Sequence, residues 1–426
     1  MTDIYSTKHF IMDNGERYKL LVNATTGIPL YYPTLYITSQ IRGGGQSVST
    51  IQSFITSLKV LLRWLDHYSV DMEERFRRKE FLTLQEVESL RDFCKKPLKE
   101  KVPEKSNVIA LKRTKEGARM AVSKPSPGVY SHTQYNRMTF IADYLKWLAE
   151  ILTKDRYNTA DKNHISEMHK RIKAHRPKKK RRTNRDRDEK GLDPKVVEQV
   201  MDILKPGHEK NPFHDPGVQV RNALILAMLR FLGLRRGELL NLRVEDINFV
   251  SNEVHIFRRP DSLSDPRTYQ PLAKTLERTL LINDKLAEKI SKYVTTVRSK
   301  FIQARRHPYL FITHKAGPYQ GAPLSNSAFG KLMKEVQGVS DNFSGVHAHS
   351  FRHTWNYTFS ALLDTSKEEV SSEREEQMRS YLMGWADGSG TAAIYNRRHI
   401  KEKAKKAILE HQKGMIKGGV FRDGEK

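Results

Sequence analysis

The segment Leu232-Gly233-Leu234-Arg235-Arg236-Gly237-Glu238-Leu239 closes one apolar helix and opens another. Upstream of it, Val218 to Leu232 is densely apolar at helical spacing and predicts a buried helix. Gly233 ends that helix, since glycine tolerates the left-handed conformation at which helices commonly stop. Glu238 to Leu242 then begins another turn or two. An arginine directly after the break, with a carboxylate three residues on, sets a fixed cation beside an anion at a helix start. Alone, this also describes an ordinary helix junction with a surface ion pair.

Downstream, Glu253 to Phe257 and Arg278 to Ile282 read as two strands of a small sheet, and several helices follow to about residue 412. Leu272-Ala273-Lys274-Thr275 leads into the second strand; a lysine there is ordinarily just solvated. The segment His347-Ala348-His349-Ser350-Phe351-Arg352-His353-Thr354 sets His349, Arg352 and His353 on one helical face. Two histidines at this spacing can chelate zinc, but the glutamate of the His-Glu-x-x-His motif is missing and Arg352 would sit beside the metal, so no metal site is expected. An anion suits the trio better: the arginine forks onto phosphate oxygens, and a histidine exchanges protons near neutral pH. Satisfied structural histidines remain the plainer alternative. Last come Trp385, in Gly384-Trp385-Ala386, and Tyr395, one of 17 tyrosines.

The N-terminal half is organised differently. Asn14-Gly15 between strand-forming residues predicts a hairpin within an N-terminal extension, residues 1–45. Gly43-Gly44-Gly45 reads as a hinge, without the Lys-Ser/Thr ending of a nucleotide-binding loop. Three amphipathic helices are expected in a helical domain over 46–168: one with Ile51, Phe54, Ile55, Leu58, Leu61, Leu62 and Leu65, one capped by Thr83 with Glu86, and one with Met138, Ile141, Leu145, Leu148 and Leu152. Residues 95–124, which include Lys112 and Arg113, hold ten basic and three acidic residues without periodicity and read as a loop or extension. Lys170 to Lys190 holds twelve basic and three acidic residues, including Lys178, Lys179, Lys180, Arg181 and Arg182. It reads as an interdomain linker over 169–190 that lies along phosphates; taken alone it also resembles a nuclear import signal. A second domain is expected over 191–412, with a tail over 413–426.

The chain carries 75 Lys and Arg against 49 Asp and Glu, a net charge of +26. Such a surplus repels itself unless a polyanion is the usual partner, and nucleic acid is the first candidate. No apolar run approaches the roughly 18 residues of a spanning helix, and the polar Met1 to Asn14 is not expected to be a signal peptide. The single cysteine, Cys94, excludes an intramolecular disulfide framework and reads as an inert core thiol, in keeping with a reducing, intracellular compartment.

Order joins the C-terminal segments. Arginine in Gly-Leu-Arg-x-x-Glu, a lysine before a strand, His-x-x-Arg-His, Gly-Trp, then a tyrosine before a basic C-terminal helix resembles the catalytic domain of tyrosine recombinases, the phage integrase type. The resemblance is specific from about Arg221 to His399; upstream, the helical domain before a basic linker looks like the family's core-binding domain. It implies a mainly α fold with a small antiparallel β-sheet and a catalytic site in which Arg235 and Arg352 clamp the non-bridging oxygens of a scissile phosphate. It further implies Lys274 protonating the leaving 5′ oxygen, His349 as acid or base, Trp385 donating its indole N–H, Glu238 and His353 holding the arginines and the helix, and Tyr395 as nucleophile.

The chemistry accounts for these residue types. Fixed cations stabilise charge growing on the equatorial oxygens, a phenol attacks once its oxyanion is favoured, and the departing alkoxide needs a proton. A phosphotyrosine keeps the bond energy, so no cofactor, ATP or metal is expected. The implied partners are duplex DNA at specific sites, a second copy per site, a tetramer at synapsis and accessory DNA-bending or directionality proteins, in the cytoplasm and nucleoid of a bacterial or phage system. Two features depart from the family: the spacing from Arg352 to Tyr395 is longer than usual, through the charged stretch from Asp364 to Arg379, and the connection from Phe257 to Lys274 replaces a tight hairpin. A type IB topoisomerase-like enzyme and a non-catalytic DNA-binding regulator are the competing readings; a metal-dependent nuclease lacks the usual acidic cluster.

Overall fold

The computed structural model describes residues 4–98, 111–113, 119–121, 128–153, 159–178, 191–365, 370–386, 404–405 and 407–413, with backbone alone at 111–113 and 119–121. The chain divides into two compact units, residues 1–12 with 17–181, and residues 13–16 with 182–426. Both are mainly helical, and the sheets are small and antiparallel.

In the first unit β1 (Tyr5–Ile11) and β2 (Arg17–Asn23) form the expected hairpin, with Ile11 opposite Arg17. Its Tyr18 and Leu21 share one apolar core with the helices, so the hairpin is built into the helical unit. The short α1 (Tyr31–Tyr36) leads to α2 (Val48–Tyr68), which buries Ile51, Phe54, Ile55, Leu58 and Leu61 along one face. After α3 (Met72–Arg77), α4 (Leu84–Phe93) opens on a reciprocal cap: Thr83 Oγ1 accepts from the Glu86 N–H, and Glu86 accepts from the Thr83 N–H at 2.8 Å. Two orphan N–H groups are satisfied in this way. Helix α5 (Ser131–Leu152) buries Met138, Ile141, Leu145 and Leu148 against α2. Cys94 is fully buried, and burial pushes its thiol up to about 12.

Two features go beyond the sequence reading. Within the aperiodic basic stretch, β3 (Leu111–Arg113) and β4 (Arg119–Ala121) pair as a ribbon, with Arg113 opposite Arg119. And α6 (Thr159–Ala174) carries Lys170, Arg171 and Lys173 within a helix whose Ile165, Met168 and Ile172 are buried. Apolar residues at that spacing outweigh the charges between them, because basic side chains can extend from the opposite face into water.

In the second unit α7 (Pro194–Ile203) precedes α8 (Pro216–Leu232), the central helix. Asp215 caps α8, accepting from the Val218 N–H at 2.7 Å, with Pro216 in the first turn where its missing N–H costs nothing. Gly233 stops it at φ +60°. Then follow α9 (Arg236–Asn241) and the sheet β5 (Ile247–Asn248), β6 (Glu253–Ile256) and β7 (Arg278–Leu281), ordered in sequence. Val254 and Ile256 of β6 and Leu280 of β7 turn inward, as alternation requires. Helices α10 (Asp284–Lys292), α11 (Asn326–Gln337) and α12 (Ala348–Asp364) complete the shell, α12 lying against α8. Then α13 (Ser372–Met383) takes up half of the charged stretch from Asp364 to Arg379, and residues 407–413 are helical again. Among the described residues no helix is long and apolar enough to cross a membrane.

Leu229 of α8 is fully buried and Leu281 is 75% exposed. Leu229→Ala is expected to cost about 2–5 kcal/mol and Leu281→Ala less than about 0.5 kcal/mol, read from urea unfolding of the chain. Equal losses would contradict this placement of the core.

Candidate active site

Glu238, in the first turn of α9, has no exposed side-chain surface. Its Oε1 accepts from Thr275 Oγ1 at 2.7 Å and lies 3.6 Å from Arg235 Nη1. Its Oε2 accepts from Arg278 Nη2 at 2.9 Å and from the Arg235 backbone N–H at 3.0 Å, and lies 3.8 Å from Arg352 Nη1. One carboxylate therefore faces guanidinium groups from three separate segments. Burial alone would raise its pKa, but the charges of Arg278 and Arg352 and the hydrogen bonds from Arg278 and Thr275 outweigh that, holding it below the usual glutamate range.

Arg352, one turn into α12, is fully buried. It donates from Nη1 to the Gly233 carbonyl at 2.9 Å and from Nη2 to the Met383 carbonyl at 2.7 Å. The Trp385 ring lies 5.4 Å from its guanidinium, a cation–π contact. Leu382 and Gly384 offer the neighbouring carbonyls: Arg278 Nε donates to Leu382 at 2.7 Å, and the Leu276 N–H to Gly384 at 2.9 Å. Three consecutive carbonyls at the end of α13 thus accept from Arg278, Arg352 and the segment after Lys274. The last carbonyls of a helix lack intrahelical partners and carry partial negative charge, which suits cations. Gly384 permits the approach: its φ is +61°, and a Cβ there would lie 2.7 Å from Arg278 Nη1 and 2.8 Å from the Leu276 carbonyl oxygen.

The expected residues fall into two layers. Glu238, Arg352 and Trp385 are buried, while Lys274 and His349 are exposed and the Arg235 side chain is about one-third exposed. His349 and His353 meet edge to face with ring centroids 4.4 Å apart, His353 being half-buried. Lys178 is exposed at the end of the first unit. Tyr395, Lys179, Lys180, Arg181 and Arg182 lie outside the described residues, as do the side chains of Lys112 and Arg113. Among the described residues no group of His, Cys, Asp or Glu is placed to hold a metal ion.

Arg278 and Thr275 belong to this cluster and were not singled out from sequence. A signal was present: the two-residue period of β7 puts Arg278 on the same face as Leu280, toward the core, and a cation there requires a buried anion. The long connection between β6 and β7 is also tied down. Arg259 pairs with Asp246 at 2.9 Å, and buried Arg267 donates to Asp265 and to the carbonyls of Leu240 and Leu324. Its guanidinium lies 4.4 Å from the Tyr309 ring centroid.

Removing the central anion leaves Arg278 and Arg352 buried without it. Glu238→Gln is expected to cost about 3–5 kcal/mol, measured by urea unfolding at pH 7. Because the folded pKa is depressed, the advantage of the wild type is complete above the unfolded value of about 4.3 and is lost as pH falls through the lower folded value. A difference between the two proteins that does not change with acid would contradict this.

Residues 190–402 match the model of the phage integrase family, a span that includes Arg235, Lys274, His349, Arg352, Trp385 and Tyr395. Transposase A from transposon Tn554 of Staphylococcus aureus is 27% identical over 335 residues, covering 76% of this chain and 78% of its own length. Tyrosine recombinase XerD of Staphylococcus aureus is 26% identical over 167 residues, 38% of this chain and 50% of its own. Among solved structures, the Tn1549 transposon integrase in complex with circular intermediate DNA aligns over 85% of this chain and 94% of its own, with 15% identity and a TM-score of 0.48. The family model covers half of the chain and every segment from which the cluster around Glu238 is built, and the protein belongs to the phage integrase family, the tyrosine recombinases that break and rejoin DNA.

Proposed function

We propose that this recombinase cuts and rejoins duplex DNA at defined sites through a 3′-phosphotyrosyl bond to Tyr395, integrating or excising a mobile element. The observation that carries the reading is the cluster around Glu238, which gathers Arg235, Arg278 and Arg352 beside the Lys274 segment. The similarity to a transposon's transposase over three-quarters of the chain supports the mobile-element role.

In this reading Tyr395 Oη attacks the scissile phosphorus, its proton passing to a base, and the bond to the 5′ oxygen breaks. Arg235 and Arg352 neutralise the charge growing on the non-bridging oxygens. Lys274, exposed between buried Ala273 and Thr275, gives its proton to the departing 5′ oxygen, and His349 serves as acid or base. Trp385 flanks Arg352, and Glu238 and His353 hold the groups that touch DNA. Arg352 donates from each terminal nitrogen to a backbone carbonyl, which fixes the plane of its guanidinium. Reversal with a new 5′ hydroxyl completes the exchange, in a dimer on each site and a tetramer at synapsis, with accessory DNA-bending or directionality proteins. The basic run from Lys178 to Arg182, with Lys112 and Arg113, contacts phosphates and positions the chain without reading bases.

The test is a nicked suicide duplex carrying the joined ends of the element. Wild-type protein is expected to form a covalent adduct that survives denaturant, with EDTA present or absent, and Tyr395→Phe none. An adduct with Tyr395→Phe would overturn the assignment of the nucleophile, and no adduct with the wild type would overturn the reading itself. The net charge of +26 leads to a second expectation. For roughly 6–10 phosphate contacts, affinity for the duplex falls about 10³–10⁵-fold between 50 and 200 mM salt, measured by fluorescence anisotropy; a flat response would contradict phosphate contact by the basic segments.

A further inference from the structure

Helix α13 is an unlikely element to sit firmly on a protein. Its sequence, Ser-Glu-Arg-Glu-Glu-Gln-Met-Arg-Ser-Tyr-Leu-Met, offers few apolar side chains, and only Arg379, Ser380 and Met383 are buried. Yet its last carbonyls hold Arg278 and Arg352. Arg379 supplies the seating. Its side chain is fully buried, and Nη1 donates to the Asn356 carbonyl at 2.8 Å. Nη2 donates to Ser360 Oγ at 2.5 Å and pairs with Glu375, one turn back on its own helix. Glu375 also accepts from Ser360 Oγ at 2.9 Å, and the Phe359 ring lies 5.4 Å from the guanidinium. Asn356, Phe359 and Ser360 all belong to α12, the helix that carries Arg352.

The contacts continue to the active cluster by two routes. Through α12, Asn356 Nδ2 donates to the Arg352 carbonyl at 2.8 Å and approaches Met383 Sδ at 3.3 Å. Through α13, the carbonyls of Leu382, Met383 and Gly384 reach Arg278, Arg352 and the Leu276 N–H. A planar guanidinium with five donors can bridge a backbone carbonyl, a hydroxyl and a carboxylate at once, which an ammonium on a flexible stem cannot. We propose that Arg379 is a positioning residue for DNA cleavage: it locks α13 onto α12 so that the end of α13 orients Arg352 and Arg278 and steadies the segment that bears Lys274. The proposal rests on the recombinase reading above, since the groups it positions are the ones assigned to the phosphate.

The experiment compares Arg379→Met, Arg379→Lys and Ser360→Ala with the wild type, and adds Val200→Ala in the core under α7 as a control for lost stability. Single-turnover adduct formation is followed at saturating suicide duplex, and amide exchange at Leu276 is followed without DNA. Arg379→Met is expected to slow cleavage by about 10²-fold, the scale of a small misplacement of reacting groups, with duplex affinity little changed and faster exchange at Leu276. Arg379→Lys recovers part of the rate, Ser360→Ala loses less of it, and Val200→Ala cleaves normally while folded. A wild-type rate and unchanged Leu276 exchange in Arg379→Met would overturn the proposal, as would an equal rate loss in Val200→Ala. If Arg379→Met does not fold, the same two measurements on Ser360→Ala decide, and normal values on both overturn it. If the wild type forms no adduct, the recombinase reading fails, while exchange at Leu276 still shows whether Arg379 holds the end of α13.

Discussion

A single buried carboxylate organises the catalytic half of this protein. Glu238 lies within 4 Å of guanidinium nitrogens from Arg235, Arg278 and Arg352, which come from the α8–α9 junction, the start of β7 and one turn into α12. A lone charge in such a place costs several kcal/mol, so each partner is a condition for the others. Three cations around one anion also leave a positive surplus. Part of it is met by the carbonyls at the end of α13, and part stays turned toward solvent on Arg235 and Lys274. A preformed positive surplus of this kind is complementary to a phosphodiester that gains charge as it reacts.

The long connection between β6 and β7 and part of the charged stretch after α12 belong to the scaffold. The connection between β6 and β7 carries its own arginines, Arg259 and Arg267, each bound to an aspartate, and Arg267 also to carbonyls of the surrounding body. Its far end delivers Lys274 on a segment held at both Thr275 and Leu276. The second half of the charged stretch lies in α13, whose seating uses a buried arginine where most helices use an apolar stripe. Hydrogen-bonded ion networks are more directional than apolar contacts, which suits a helix whose duty is to present three particular carbonyls.

Much of this was legible beforehand. The apolar stripes of α2, α5 and α8, the reciprocal cap at Thr83, the Asn-Gly hairpin and the two long strands of the sheet all follow from local periodicity and turn chemistry. These signals are short-range, so neighbouring residues suffice to read them. The pairing of β3 with β4 and helix α6 were harder, because dense charge hides the pattern of a segment whose other face is buried or paired.

The order of the motifs, the surplus of positive charge and the identities of Arg235, Lys274, His349, Arg352 and Tyr395 as candidates were set by the sequence by itself, for they depend only on residue type and spacing. What the tertiary structure decided is which cations share a counter-ion: that Arg278 joins the cluster, that Arg352 is sealed against two carbonyls, and that Arg379 stands behind both. No local pattern encodes these, because electrostatic pairing acts through space between segments more than a hundred residues apart, such as Gly233 and Arg352, and only the folded chain brings them within a hydrogen bond.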